Sequence, residues 1–112
     1  MNQNRNLQIL GLAKKAGLLA IGGEAVATAS RHGKAKLVIT ATDASEGSIR
    51  RARINAQTGG AEYVAVPYTK FELGSITGRG SPGTIAFLDA GIAATFTKRL
   101  AESEKAKECD SK

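Results

Sequence analysis

The stretch that most constrains the fold is the apolar run "AKLVITA" at residues 35–41. A strand whose side chains are apolar on both alternating sides must be covered on both faces of its sheet. Segments with helical spacing of apolar residues precede and follow this run along the chain. The run therefore predicts a central strand that lies between two layers of helices.

The rest of the chain continues this alternation, with strands predicted at 18–21, 63–66 and 84–89. Helices are predicted at 6–16, 23–32, 43–57, 69–78 and from Ala90 to about Glu104. Side chains able to cap helices stand before several of them, namely Asp43 or Ser45, Thr69 and Asp89. Alternation of this kind is typical of an α/β fold, with helices on both faces of the sheet.

The length of 112 residues predicts a single domain over residues 1–104, followed by a charged, flexible tail at 105–112. No apolar run reaches the roughly 20 residues of a membrane helix, and the first residues do not resemble a signal peptide. These features predict a cytoplasmic protein. The single cysteine, Cys109, cannot form a disulfide within the chain and is expected to be an incidental exposed thiol.

Positive charge is concentrated in the first third of the sequence. The formal net charge is +6, and residues 1–40 contain six basic residues against one acid, Glu24. Such an excess favours an anionic partner, of which nucleic acid is the commonest. The alternative is a basic surface that only contacts solvent.

The second predicted helix begins at Gly22-Gly23-Glu24. A helix N-terminus carries unpaired N–H groups and partial positive charge, and glycines leave no side chain in front of an approaching phosphate. The alternative is an ordinary tight turn in which Glu24 complements the helix dipole. Lys34 and Lys36 follow the C-terminal end of this helix. They can reach the same partner only if the fold places them near the N-terminal end.

The segment "GRGSPG" at 78–83 matches the pattern G-x-G-x-x-G of dinucleotide-binding proteins. That pattern must follow a strand and open a helix, whereas here it precedes a strand and contains Pro82. We therefore interpret it as an exposed, adaptable loop. Arg79 and Ser81 in this loop can bond phosphates or base edges.

No group of residues predicts catalysis, a metal site or a cofactor. His32, the single histidine, stands in the last turn of a helix, where a structural role is expected. No Cys/His spacing suits a metal, and no serine or cysteine has the context of a nucleophile. Arg50, Arg51 and Arg53 either form a solvated face or add phosphate contacts. The few aromatic residues argue against a stacking platform for single strands.

Four segments together resemble a known family: "LGLAKKAGLLAIGGEAV", "GKAKLVITATDAS", "FELGSITGRG" and "TIAFLDAG". Their order and spacing over residues 7–100 are similar to those of the seven-Ae/thirty-e ribosomal-protein superfamily, in particular its small bacterial members of YlxQ type. The resemblance implies a three-layer α/β/α sandwich around a mainly four-stranded mixed sheet. It also implies binding of kink-turn RNA by the N-terminal end of the second helix and the loop before the last strand.

The RNA-reading motif of this family is G-x-N-E-x-x-K. Gly22 matches its glycine, whereas Glu24, Ala25 and Thr28 stand where the family has Asn, Glu and Lys. These replacements remove polar contacts to bases and one positive charge. Nearby lysines can compensate electrostatically, with less specificity.

We therefore predict a monomeric, non-enzymatic protein that binds structured RNA of kink-turn or ribosomal type without a cofactor. The alternative is a protein–protein interaction or regulatory module on the same fold, with weak, non-specific RNA binding. The predicted RNA-binding residues are Gly22, Gly23, Glu24, Thr28, Lys14, Lys15, Lys34, Lys36, Arg79, Gly80, Ser81, Pro82, Gly83 and Thr84.

Overall fold

A computed structural model describes the backbone of residues 2–78 and 80–110, and the side chains of residues 6–78 and 80–102. Five helices alternate with four strands. The helices are α1 (Asn2–Lys15), α2 (Gly23–Arg31), α3 (Glu46–Gly59), α4 (Lys70–Thr77) and α5 (Ala90–Asp110). The strands are β1 (Leu19–Ile21), β2 (Leu37–Thr40), β3 (Glu62–Ala65) and β4 (Thr84–Phe87).

The four strands form one mixed sheet in the order β1-β4-β2-β3. β4 is antiparallel to both of its neighbours, while β2 and β3 are parallel. Thr40 pairs with Thr84 at one end of the sheet, and Leu37 pairs with Phe87 at the other. Every residue of β2 is buried, which confirms the central position predicted from its apolar run.

The side chains of the sheet alternate between two cores, as period-two geometry requires. The first core lies under α1, α4 and α5, and the second lies under α2 and α3. The predicted three-layer α/β/α sandwich with a four-stranded mixed sheet is therefore confirmed. The first core contains Leu10, Leu37, Ile39, Leu73, Ile85, Phe87 and Phe96, and the second contains Val26, Ala29, Val38, Ala52, Ala56 and Ala86.

Side-chain caps begin three of the helices. The Ser48 N–H donates to Oγ of Ser45 at 3.1 Å, so Ser45 caps α3. The Ile92 N–H donates to Oδ2 of Asp89 at 3.0 Å, which confirms the capping role predicted for Asp89. At α4 a capping box joins Thr69 to Glu72. These caps satisfy N–H groups that lack a partner within their own helix.

Asp43 has a different role from the one expected. It does not cap the helix that follows it along the chain. Its Oδ1 instead accepts the N–H of Lys70, the first residue of α4, at 2.8 Å. The sequence prediction was wrong here because local spacing cannot reveal that Asp43 and Lys70, 27 residues apart, meet where α4 begins.

Two helices extend beyond their expected bounds. α1 begins at Asn2 rather than Asn6, and α5 continues to Asp110 rather than ending near Glu104. Residues 105–110 include alanine, lysine and glutamate, and the stretch contains no glycine or proline to stop a helix. The tail predicted at 105–112 thus begins as a continuation of α5. Among the described helices, none combines the length and hydrophobicity of a membrane span.

Candidate functional site

The residue that precedes α2, Gly22, is hydrogen-bonded to the first residue of β4, Thr84. Gly22 precedes the helix with φ 96° and ψ 158°, a conformation that side chains disfavour. Its N–H donates to the Thr84 carbonyl at 2.9 Å. This N–H is therefore engaged inside the protein, contrary to its expected use as a donor to a ligand. No side chain caps the helix, and a Cβ added to Gly22 or Gly23 would meet no atom within 4 Å.

A cleft of about 440 Å³ opens beside this junction, between α2, α3 and the start of β4. We call it the α2/α3 cleft. Among the predicted site residues, Gly23 and Glu24 line it from α2, while Gly83 and Thr84 line it from the other side. Its full lining is Gly23, Glu24, Ala27, Ser48, Arg51, Ala52, Ile54, Asn55, Gly83 and Thr84.

The loop before β4 is held at its C-terminal end, Gly83, by a main-chain hydrogen bond. The Gly83 carbonyl accepts the N–H of Ala41 at 2.9 Å, and a Cβ on Gly83 would lie 3.7 Å from Cβ of Ala44. Gly80 has φ 24°, which also favours glycine. Gly80, Ser81 and Pro82 do not line the cleft. Arg79 lies outside the described residues.

The α3 wall of the cleft was not selected from the sequence. Ser48, Arg51 and Asn55 project into the cleft from one face of the helix, at spacings of three and four residues. In the sequence, Arg51 is one of three arginines that share the same two possible roles, and Asn55 was not among the predicted residues. Arg51 differs from Arg50 and Arg53 in its position on the helix. It follows Ser48 by three residues and therefore lies on the same face of α3.

The other two arginines of α3 line a neighbouring hollow, which adjoins the cleft at Ile54. Arg50 and Arg53 line this hollow together with Glu46, Ile49 and Ile54. The guanidinium carbon of Arg53 lies 5.6 Å from the centre of the Tyr63 ring, within the range of a cation–π contact.

Thr28 does not line the cleft, although it stands one turn beyond Glu24. Its hydroxyl accepts a long hydrogen bond of 3.4 Å from the guanidinium of Arg31. Its carbonyl accepts the ring N–H of His32 at 2.9 Å. His32 is the C-terminal cap residue of α2, which confirms the structural role predicted for it.

The four predicted lysines fall into two pairs outside the cleft. Lys14 and Lys15 lie beside Gly78, where the C-terminal end of α4 meets α1. The Lys36 N–H donates to the Phe87 carbonyl at 2.7 Å, at the end of β4 opposite Thr84. The fold therefore does not return Lys36, or Lys34 close to it in the chain, to the N-terminal end of α2.

The cleft offers one carboxylate, one guanidinium, one amide and two hydroxyl groups, from Glu24, Arg51, Asn55, Ser48 and Thr84. These side chains can form hydrogen bonds with the polar edges of a flat ligand and bind an anionic group beside it. Within the described residues, no three His, Cys, Asp or Glu side chains are grouped so that they could hold a metal ion.

No protein-family model matches the chain. A solved protein of unknown function from Bacillus halodurans is 26% identical, with a TM-score of 0.77. The match covers 86% of this chain and 96% of that one. The Giardia lamblia 15.5 kD RNA-binding protein is 16% identical, with a TM-score of 0.68, over 93% of this chain and 88% of that one. The chain thus shares the fold of the Giardia protein.

Proposed function

We propose that the protein binds structured RNA, without catalysis, through the α2/α3 cleft and the adjoining loop at 79–84. One observation carries the proposal: Gly23 and Glu24 lie in the same cleft as Gly83 and Thr84. These two segments are about 60 residues apart in the sequence, and they are the two that the resemblance assigns to RNA. The bond between the Gly22 N–H and the Thr84 carbonyl holds them together.

The charge of the chain supports an RNA partner. The net charge is +6, and the exposed lysines outside the cleft can contact phosphates on either side of a bound duplex. The RNA-binding function stated for the Giardia protein of the same fold points the same way. Lys14 and Lys15 would serve as phosphate contacts, and Ser81 as a contact to phosphate or a base edge. Lys34 and Lys36 lie beyond the C-terminal end of α2, so they would contact only the phosphates of an RNA that extends along α2 past the cleft.

The RNA class that best suits this site is a bent helix of kink-turn type, as in ribosomal RNA. The open space in front of Gly22 and Gly23 admits a backbone close to the N–H groups of the first helical turn. Because Ala25 and Thr28 lack the polar groups of the family motif, recognition here would depend more on shape and main-chain donors than on α2 side chains.

A salt titration tests the proposal. Binding to a kink-turn RNA and to a straight duplex of equal length is measured by fluorescence anisotropy over a series of salt concentrations. We expect tighter binding to the kink-turn RNA at every concentration. Equal affinities with equally steep salt slopes would contradict shape recognition and leave only a basic surface.

The alternative, a protein-interaction module, is favoured by one feature. Leu12 of α1 is 63% exposed and Phe71 of α4 is 75% exposed. A groove between α1 and α4 runs beside Leu12 and Ile76. Replacing Leu12, which lines this groove, with serine would abolish binding of a protein partner and leave binding of kink-turn RNA intact. Loss of RNA binding in the same variant would instead assign this groove to the RNA.

A further inference from the structure

We infer that Arg51 and Asn55 of α3 are specificity-determining residues of the RNA site, and that α3 supplies the cationic contact that α2 lacks. This inference rests on the proposed function. Thr28 stands where the family motif has its lysine, and the side chain of Thr28 does not enter the cleft. A charged contact to RNA in this cleft must therefore come from another element.

Arg51 is placed to make that contact. Among the described residues that line the cleft, Arg51 carries the one positive charge and Glu24 the one negative charge. The Glu24 carboxylate repels phosphate, and a cation in the same cleft offsets this repulsion. The guanidinium forms no hydrogen bond or ion pair with any described residue, and its donors are free to engage a ligand.

Asn55 lies one helical turn beyond Arg51 on the same face of α3 and is half-buried in the cleft wall. Its amide offers both donors and an acceptor, the combination that reads a base edge. Arg51 is more exposed, and its planar guanidinium suits a phosphate or the polar edge of guanine. In this inference Asn55 contacts a base edge, and Arg51 contacts a phosphate or a guanine.

Arg50 provides a matched control. It is the adjacent residue of the same helix and is also exposed, but it lines the neighbouring hollow, which adjoins the cleft at Ile54, and not the cleft itself. Changing either arginine to glutamine removes one positive charge from α3. Long-range attraction to RNA falls equally in both variants, so any difference between them reports contact within the cleft.

The experiment compares wild type with Arg51→Gln, Arg50→Gln and Asn55→Ala, using the kink-turn RNA and the straight duplex. We expect Arg51→Gln to weaken kink-turn binding about tenfold relative to Arg50→Gln, as befits the loss of one good polar contact. Asn55→Ala should reduce the preference for the kink-turn RNA over the duplex without changing the salt slope, because it removes no charge.

The outcomes separate the inference from the proposed function. If wild type prefers the kink-turn RNA and Arg51→Gln behaves as Arg50→Gln does, the role of α3 is overturned while the proposed function stands. If wild type shows no preference, both fail. Equal circular dichroism spectra and urea midpoints among the variants exclude misfolding, and Arg51→Lys shows whether charge alone or the guanidinium fork sets the preference.

Discussion

The two faces of the sheet are packed in different ways. On the face covered by α1, α4 and α5, large side chains such as Leu10, Phe87 and Phe96 fill the core. On the face covered by α2 and α3, most of the buried residues are alanines. Large side chains bury more apolar area and so contribute more to stability. Small ones let two helices approach closely, and α2 and α3, which line the α2/α3 cleft, pack through such residues.

The largest effect on stability should come from the face covered by α1, α4 and α5. Phe96 is fully buried, with its ring centre 5.0 Å from that of Phe87. Phe96→Ala should lower the free energy of unfolding by about 3–5 kcal/mol, because it removes apolar contacts and leaves a cavity. Urea denaturation measures this loss. RNA affinity per folded molecule should be retained, and a parallel loss of affinity would contradict the separation of the two faces.

On the face covered by α2 and α3, adding side-chain volume should lower stability more than removing it. A Cβ on Gly59, at the end of α3, would lie 3.0 Å from the Ser30 carbonyl oxygen and 3.1 Å from its Cα. Because these are backbone atoms of the α2 helix, Gly59→Ala should cost about 1–3 kcal/mol of stability.

Gly47, near the other end of α3, is the matched control for Gly59. A Cβ there would meet nothing within 4 Å, so Gly47→Ala should stabilise by about 0.4–1 kcal/mol by restricting the unfolded chain. Both variants are compared by urea denaturation. Equal stability of the two would mean that the spacing of α2 and α3 is not held by small residues.

A smaller effect is expected at the polar contact of this second face. The Tyr63 hydroxyl lies 2.7 Å from Oγ1 of Thr40, whose side chain is fully buried. Tyr63→Phe leaves the Thr40 hydroxyl without this partner and should cost about 1 kcal/mol. Adding Thr40→Val should recover much of the loss, since no buried polar group then remains unpaired. A double-mutant cycle measured in urea checks this coupling.

The smallest effect on affinity concerns the end of α2 away from the cleft. Lys34→Ala with Lys36→Ala should weaken RNA binding and lower the magnitude of the salt slope by up to about 2, as each lysine contacts at most one phosphate. Lys14→Ala with Lys15→Ala is the charge-matched comparison on α1. An unchanged salt slope in the Lys34 and Lys36 variant would remove that pair from the RNA-binding surface.

The order and type of the secondary-structure elements could be predicted from the sequence because their signals are local. Apolar periodicity, capping residues such as Ser45 and Thr69, and the continuous apolar run of β2 each act within a few residues. The start of α1 was placed too late, at Asn6, a residue type that favours the start of a helix. The end of α5 was missed because residues 105–110 contain no glycine or proline. Asp43 was assigned to the wrong helix because its partner, Lys70, is distant in the chain.

The sequence by itself determined the elements, the basic character of the chain and the two segments at 22–24 and 79–84. Only the tertiary structure decided that Gly23 and Glu24 share a cleft with Gly83 and Thr84, that Arg51 enters it while Arg50 does not, and that Lys36 lies at the far end of the sheet. The reason is physical. Local propensity depends on neighbours along the chain, whereas a cleft depends on which helix faces pack together, and that is set by long-range contacts.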